Sequence, residues 1–228
     1  MKENNGNIIQ DDQRKLFFKI IKSRIAKGKS TLIIGKTGSG KTKFLEQLKL
    51  NSFNCSKIES LGSLNYILTS ILRQSKYNFI PKINKSAEYL EAICNLKNNT
   101  ILIDDINDLR PGIFNHIKRF IDAQIPVIMA GTIEILPALK ERHGAVFSRL
   151  RLLTLEPVSV EDFKKNLPQF EKDTLEFIFG FSFGNMWLFN EICEECLDLI
   201  QELKITNVSM PLANQIIQNY QQFPSSNY

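Results

Sequence analysis

The chain has 228 residues, of which 43% are hydrophobic, 10% aromatic and 23% charged, with a formal net charge of +5. This composition is that of a globular protein with one substantial core, and it excludes a disordered or fibrous chain. Four scattered cysteines favour a reduced compartment, no apolar run reaches the roughly 18 residues of a membrane span, and the N-terminus lacks a signal-peptide pattern, so we expect a cytoplasmic protein.

The apolar spacing predicts a helix over residues 11 to 28, ended by Gly28, and then a short strand in STLIIG. A second helix is predicted from Thr42 to Leu50. Helical segments and apolar strands alternate from there to residue 155. The further helical segments are SLNYILTSILRQ, AEYLEAICNL and PGIFNHIKRFIDAQ, and the further strands are FNCSKI, TILID, IPVIMAG and LRLLTL. This alternation predicts an α/β fold, in which a parallel sheet carries helices on both faces in three αβα layers.

Beyond Pro157 the sequence shows only helical periods, which predicts a small all-helical unit at the C-terminus. We therefore expect an N-terminal helix and linker over 1–28 and a core over 29–156. The helical unit then spans 157–222, and a disordered tail occupies 223–228.

The stretch GKTGSGKT lies between the first strand and the second helix, and it fits the phosphate-binding pattern G-x-x-x-x-G-K-[ST]. Backbone N–H groups of such a loop and of the following helix N-terminus form an anion-binding concavity. Lys41 is expected on the β- and γ-phosphates, and the Thr42 hydroxyl on Mg²⁺. The pattern predicts a nucleoside triphosphate site made by Gly35, Lys36, Thr37, Gly38, Ser39, Gly40, Lys41 and Thr42.

The stretch ILIDDIND supplies the acidic partner that a P-loop needs, because Mg²⁺ must be held from a second side. Asp104, after four apolar residues, is the expected Walker B ligand of the metal. Asp105 stands where a water-activating carboxylate would lie, although either residue could instead cap a turn. Asn107 and Asp108 are assigned to that following turn.

The segments GKTGSGKT, ILIDDIND, IPVIMAGT and FSRLRLLTLEPVS together resemble the AAA+ ATPases over roughly residues 25 to 200. The resemblance is strongest to the branch of replication initiators and transposition helpers. It implies that the C-terminal helical unit is a AAA+ lid. It also implies that Thr132 is a polar sensor on a strand between the P-loop and Walker B strands, the alternative being an ordinary threonine at a strand end.

The same resemblance implies that Arg149 is an arginine finger, which reaches the nucleotide of a neighbouring subunit. Arg142 and Arg151 are weaker matches, and a surface arginine is the alternative. A guanidinium suits this role because its charge is permanent and its donors form a planar fork. The catalytic residues implied are Lys41, Asp105, Thr132 and Arg149.

Two departures from the family pattern stand out. Asp105 replaces the usual glutamate, which favours slow hydrolysis or a switch. Met186, Trp187 and Leu188 stand where many members place a nucleotide-sensing arginine. We expect Trp187 and its neighbours Phe179, Phe181, Phe183 and Phe189 in a core rather than in a base-stacking surface, and Cys193 and Cys196 in helix packing rather than in a zinc site.

The predicted function is that of an ATPase that uses Mg²⁺ and assembles as a homo-oligomer on double-stranded DNA. There it would recruit or regulate a protein partner in transposition or replication. The cationic N-terminal helix favours DNA. Alternatives are a regulatory switch that acts on a protein without DNA, and a small-molecule kinase. A GTPase is disfavoured, because NKSA at residues 84 to 87 lacks the aspartate of the guanine-reading N-K-x-D motif.

Overall fold

The computed structural model describes residues 12–51, 55–59, 63–75, 86–96, 98–183 and 185–221. These residues form two compact units. The first contains Asp12–Lys36 and Lys41–Glu156. The second contains the residues from Pro157 onwards, together with the loop residues Thr37–Gly40. The expected tail over 223–228 lies outside the described residues.

The first unit is built on one five-stranded sheet in which every pair of neighbours is parallel. The strands are β1 (Ser30–Ile34), β2 (Cys55–Glu59), β3 (Thr100–Asp104), β4 (Val127–Gly131) and β5 (Leu150–Thr154). Their order across the sheet is β2–β3–β4–β1–β5. Strands β1, β3 and β4 are buried along their whole length, which their unbroken apolar runs predicted.

Seven helices of this unit connect or flank the strands. They are α1 (Asp12–Ile25), α2 (Lys41–Asn51), α3 (Leu64–Gln74), α4 (Ser86–Cys94), α5 (Ile113–Asp122), α6 (Ile135–Arg142) and α7 (Gly144–Phe147). A 3₁₀ turn, Ile106–Asp108, follows β3. The sequence patterns predicted the first five helices but neither α6 nor α7.

Alternate residues of each central strand enter opposite layers, because successive strand side chains point to opposite faces. Leu32 and Ile34 of β1 pack in a cluster with residues of α3, α4 and α5. Ile33 packs in a second cluster with Ile21 of α1 and Phe44 of α2. The predicted α/β class with three αβα layers is therefore confirmed.

The second unit contains α8 (Val160–Asn166), α9 (Lys172–Phe181), α10 (Met186–Glu202) and α11 (Met210–Gln221). Side-chain caps begin two of these helices. At α8 the Ser159 hydroxyl accepts a hydrogen bond from the Asp162 N–H. At α10 the Asn185 side chain accepts hydrogen bonds from the N–H groups of Trp187 and Leu188. The only strand-like contact among its described residues is one bridge between Phe170 and Val208.

The core of the second unit is aromatic and aliphatic, and it buries Phe163, Phe189, Cys193 and Cys196. Within the described part of the chain, no three His, Cys, Asp or Glu side chains are grouped so as to hold a metal ion. Burial of both cysteines in this core agrees with the packing role expected for them.

The core assignment is wrong for two of the aromatic residues in this unit. Phe183 is 93% exposed and Trp187 is 61% exposed. Phe183 lies between α9 and α10 and has a positive φ of 49°, and Trp187 is the second residue of α10. Phe179 and Phe181, by contrast, are half-buried against the core.

Among the described residues, no helix combines the length and the apolar character that crossing a bilayer requires.

Candidate nucleotide-binding site

Three chain segments meet at the carboxyl ends of the strands, because these ends lie side by side in neighbouring parallel strands. We call this end of the sheet the P-loop edge. The P-loop leaves β1, Asp104 ends β3, and Thr132 follows β4, which lies between the other two strands. The Gly35 N–H donates a hydrogen bond of 3.2 Å to the Gly131 carbonyl oxygen. This bond fixes the start of the P-loop against the end of β4.

The P-loop backbone has the torsions that its glycines allow. Gly38 and Gly40 have φ values of 80° and 82°, in the left-handed region that other residues rarely adopt. The loop then enters α2 at Lys41, and the first turn of that helix has no acidic residue. The free N–H groups of this turn and the helix dipole therefore favour an anion at the loop.

Lys41 lies across the P-loop. Its Nζ donates hydrogen bonds to the carbonyl oxygens of Gly35, at 2.9 Å, and Lys36, at 2.8 Å. Burial lowers the pKa of Lys41, and the charges of Asp105, Asp104 and Glu134 partly oppose that shift. The ammonium group is thus held where loop backbone and carboxylates converge, within reach of phosphate oxygens bound in the loop.

Asp104 is the buried carboxylate of the site and is only 8% exposed. Its Oδ1 accepts a 3.1 Å hydrogen bond from the Asp105 N–H, and its Oδ2 lies 3.6 Å from the Nζ of Lys57 on β2. Lys57 also lies 3.4 Å from Glu46 Oε1. A cation on the neighbouring strand therefore pairs with the Asp104 carboxylate and orients it.

The residues present fit a magnesium ion that is shared with a nucleotide. Mg²⁺ is usually bound by one or two protein oxygens together with phosphate oxygens and water. Asp104 provides one carboxylate, and Thr42, in the first turn of α2, provides a hydroxyl. The described residues form no cage of three or more acidic or imidazole ligands, so a metal here would rely on phosphate oxygens as well.

Asp105 adopts a left-handed backbone conformation, with φ 51° and ψ 60°, at the start of the 3₁₀ turn. This conformation is uncommon for a residue with a side chain, and it turns the chain sharply after β3. Burial raises the pKa of Asp105, and the nearby charges of Asp108 and Asp104 raise it further, while Lys41 opposes them. A carboxylate with a raised pKa is a better proton acceptor than an ordinary aspartate.

Asn107 and Thr132 form a pair that connects the 3₁₀ turn to the end of β4. The Asn107 Nδ2 donates to Thr132 Oγ1 at 2.7 Å, and the Thr132 N–H donates to Asn107 Oδ1 at 2.8 Å. A hydrogen bond from the Thr132 hydroxyl also lowers the pKa of Glu134. The Thr132 hydroxyl is thus oriented by an amide on one side and a carboxylate on the other.

Sequence patterns missed Asn107, Glu134 and Lys57 as site residues. Asn107 was assigned to a turn, which is its backbone role, but its side chain reaches another strand. Glu134 and Lys57 lie outside the recognised motifs. Their nearness to Lys41 and Asp104 follows from the strand order, which no local pattern encodes.

Arg149 lies at the opposite end of the sheet, where the strands begin, and immediately precedes the first residue of β5, Leu150. Its Nε is 3.0 Å from Asp122 Oδ1 at the end of α5, and Asp122 also pairs with Lys118 at 2.5 Å. All five strands run in one direction, so the amino ends of the strands are one strand length from the P-loop edge. For five residues this length is roughly 16 Å. The fold does not bring Arg149 to the P-loop of its own chain.

The other two arginine-finger alternatives lie elsewhere in the first unit. Arg142 ends α6, and Arg151 is an exposed residue within β5.

Similar folds occur in solved AAA+ structures. ORC2 of Aeropyrum pernix, solved with ADPNP and ADP, superimposes with a TM-score of 0.71 at 15% identity, over 90% of this chain and 66% of the ORC2 chain. ORC1 of the same organism, in complex with DNA, gives 0.67 at 13% identity over 96% and 68%. The RuvB Holliday junction branch migration motor of Thermotoga maritima gives 0.57 at 16% identity over 92% and 69%.

The chain has the fold of AAA+ P-loop ATPases. It spans slightly less than two thirds of the ORC2 chain. No protein-family model matches the sequence, and no curated protein matches it. The AAA+ likeness is therefore one of fold.

The close approach at Gly131 gives a test of the site geometry. A Cβ at Gly131 would lie 2.8 Å from Ile106 Cγ1 and 2.9 Å from Asn107 Oδ1. We expect Gly131→Ala to displace the 3₁₀ turn and to lower the free energy of unfolding by about 1–3 kcal/mol. Gly144→Ala is the control, because a Cβ there meets nothing within 4 Å. Thermal and urea unfolding of both variants measure the effect, and equal stabilities would contradict it.

Proposed function

We propose that the protein is a AAA+-type ATPase that binds ATP with Mg²⁺ and hydrolyses it. One observation carries this proposal. A P-loop with left-handed glycines, Lys41, and the carboxylates of Asp104 and Asp105 lie together at the P-loop edge. The ORC2 structure with ADPNP and ADP, which has a similar fold, supports the choice of an adenine nucleotide.

In the proposed complex, the P-loop N–H groups and the N-terminus of α2 bind the α- and β-phosphates. Lys41 moves from its loop carbonyls to the β- and γ-phosphate oxygens. Thr42 and Asp104 would hold Mg²⁺, which would neutralise charge on the β- and γ-oxygens when bound. Lys57, paired with Asp104, orients its carboxylate for that role.

In the proposed reaction, Asp105 orients a water molecule and accepts a proton as the water oxygen bonds to the γ-phosphorus. The bond from that phosphorus to the bridging oxygen breaks, and ADP and phosphate are released. The paired Thr132 contacts the γ-phosphate region as a sensor, and Asn107 positions its hydroxyl.

The reaction is completed, in this proposal, between subunits of a homo-oligomer. Arg149 of one subunit would reach the nucleotide of the next and stabilise charge in the transition state. The sequence has no arginine after Arg151, so no residue of the helical unit can act as a nucleotide-sensing arginine. With Asp105 in place of glutamate, we expect turnover to be slow.

We further propose that the oligomer assembles on double-stranded DNA and there recruits or regulates a protein partner in transposition or replication. An ORC1 structure of similar fold is a complex with DNA, and the first 156 residues carry 25 Lys and Arg against 14 Asp and Glu. A regulatory switch that acts on a protein without DNA is the second candidate, and the shorter Asp105 carboxylate favours it.

Replacement of the P-loop lysine tests the nucleotide site. We expect Lys41→Ala to weaken ATP·Mg²⁺ binding by roughly 10- to 100-fold, because the loss of a charge-assisted hydrogen bond costs about 1.5–3 kcal/mol. Lys43→Ala is the matched control, since Lys43 is exposed on the same helix and pairs with Glu46. Titration of a fluorescent ATP analogue measures both. Equal affinity in the wild type and Lys41→Ala would reject the site.

The role of Asp105 is tested by its neutral analogue. We expect Asp105→Asn to bind ATP normally but to hydrolyse it roughly 10²- to 10⁴-fold more slowly, because it cannot accept the proton. The raised pKa of Asp105 means that wild-type turnover should fall, as the pH is lowered, at a higher pH than an ordinary aspartate would give. Asp108→Asn removes a like charge and should shift that loss to lower pH. Wild-type turnover in Asp105→Asn would assign the base elsewhere, and Glu134 is the nearest alternative.

Subunit mixing tests Arg149. We expect Arg149→Ala and Lys41→Ala to be inactive alone but to recover part of the ATPase activity when mixed, because one interface then pairs an intact P-loop with an intact arginine. Arg142→Ala mixed with Lys41→Ala is the control and should add no recovery beyond its own activity. A wild type that stays monomeric with ATP and DNA, at a rate per subunit independent of concentration, would reject the assembly.

A further inference from the structure

A hollow of about 430 Å³ lies on the first unit, between α1 and β5. Its lining, which we call the basic hollow, consists of Lys19, Ile20, Ser23, Arg24 and Arg151. Three of these five residues are cationic and none is acidic. The hollow lies away from the P-loop, because Arg24 and Arg151 are placed beside the first residues of β1, whereas the P-loop follows the last.

Strand register and side-chain hydrogen bonds bring the two arginines to the same place. Arg24 Nε donates to Thr31 Oγ1 at 3.1 Å, and its Nη2 donates to the Ser30 carbonyl oxygen at 2.5 Å. Arg151 is the β5 residue paired with Thr31 of β1. Residues paired across parallel strands point to the same face, so both guanidinium groups lie on the face that α1 covers.

The helix contributes the remaining charge. Lys19 and Ser23 are four residues apart on α1, as are Ile20 and Arg24, so all four lie on one helical face. Two bonds to β1 fix the Arg24 guanidinium while leaving further N–H donors of its fork for a ligand. The hollow is therefore a prearranged group of donors.

The charge of the hollow is not balanced by the described residues. None of them forms an ion pair with Lys19, Arg24 or Arg151, whereas Lys15 on the same helix pairs with Asp12 at 3.6 Å. The proximity of Arg151, after burial, lowers the pKa of Arg24, as expected for like charges held together. An anion in the hollow would relieve this repulsion.

We propose that the basic hollow binds the phosphate backbone of double-stranded DNA, an inference that rests on the proposed assembly on DNA. Guanidinium groups bind phosphate oxygens through paired donors. The lining has no aromatic ring for stacking on bases, and the contact we propose is to phosphate oxygens, which carry no sequence information.

The charge distribution of the chain supports a polyanion as the ligand. Residues 12–156 contain 24 Lys and Arg against 12 Asp and Glu, whereas residues 157–228 contain 4 against 10. A polyanion is therefore attracted to the first unit and repelled by the second. The acidic second unit of another copy of this chain is the competing occupant, and the test below separates it from DNA.

The test uses the full chain, a fluorescent duplex of about 25 base pairs and anisotropy measured over a range of salt. The test variant combines Lys19→Gln with Arg151→Gln, and it leaves Arg24 intact because Arg24 supports β1. Each lost phosphate contact should lower the affinity for DNA roughly tenfold near 0.1 M salt. It should also make the slope of log K against log salt concentration less steep by about 0.9.

Lys22→Gln is the matched control, because it removes one charge from the same helix outside the hollow, where Lys22 Nζ lies 4.8 Å from the centre of the Phe18 ring. We expect this control to stay within about threefold of the wild type. Binding of a fluorescent ATP analogue should be unchanged in all variants, which shows that they are folded. If the wild type binds DNA but not ATP, the proposed DNA site in the basic hollow stands and the proposed ATPase function is rejected.

Three results would overturn the proposal. The first is a double variant with the affinity and salt slope of the wild type. The second is a wild type that does not bind the duplex even at low salt, whatever its affinity for ATP. The third is a double variant that binds DNA normally but loses self-association in sedimentation, which would assign the hollow to a second copy of the chain.

Discussion

The position of β4 between β1 and β3 is the constraint on which the site depends. Parallel pairing puts the carboxyl ends of these three strands at one edge, and the Gly35 to Gly131 hydrogen bond fixes two of them in register. Gly131 also lets the 3₁₀ turn after β3 approach closely enough for Asn107 to bond with Thr132. The P-loop, Asp104 and Thr132 thus meet because of one arrangement of buried strands.

Electrostatic balance at this edge follows from the same arrangement. Lys41 lies in the field of Asp104, Asp105 and Glu134, while Lys57 pairs with Asp104 from the side of β2. Burial disfavours the charged form of Lys41 and of Asp105, which lowers one pKa and raises the other. A bound nucleotide phosphate would replace loop carbonyls as the partner of Lys41, so its binding energy includes the loss of those two hydrogen bonds.

Much of the fold and of the P-loop could be predicted from the sequence, because both are encoded locally. Apolar runs specify buried strands, and the GKTGSGKT torsions need glycine at positions 38 and 40. The Asn107–Thr132 and Lys57–Asp104 contacts join residues from different strands, so only strand order brings them together. The core prediction fails for Phe183 and Trp187, because helical spacing alone does not show that the residue after α9 and the first turn of α10 leave these side chains exposed.

Strand β1 connects the two regions to which we assign ligands. Ser30 and Thr31 at its start hold Arg24 of the basic hollow, and Ile34 at its end leads into the P-loop. The strand is buried along all five residues and paired on both sides, so its two ends cannot move independently without breaking ladder hydrogen bonds. Thermodynamic linkage is reciprocal. If DNA in the hollow raises the affinity for ATP by some factor, ATP must therefore raise the affinity for DNA by the same factor. Coupling through this strand would therefore be measurable from either ligand.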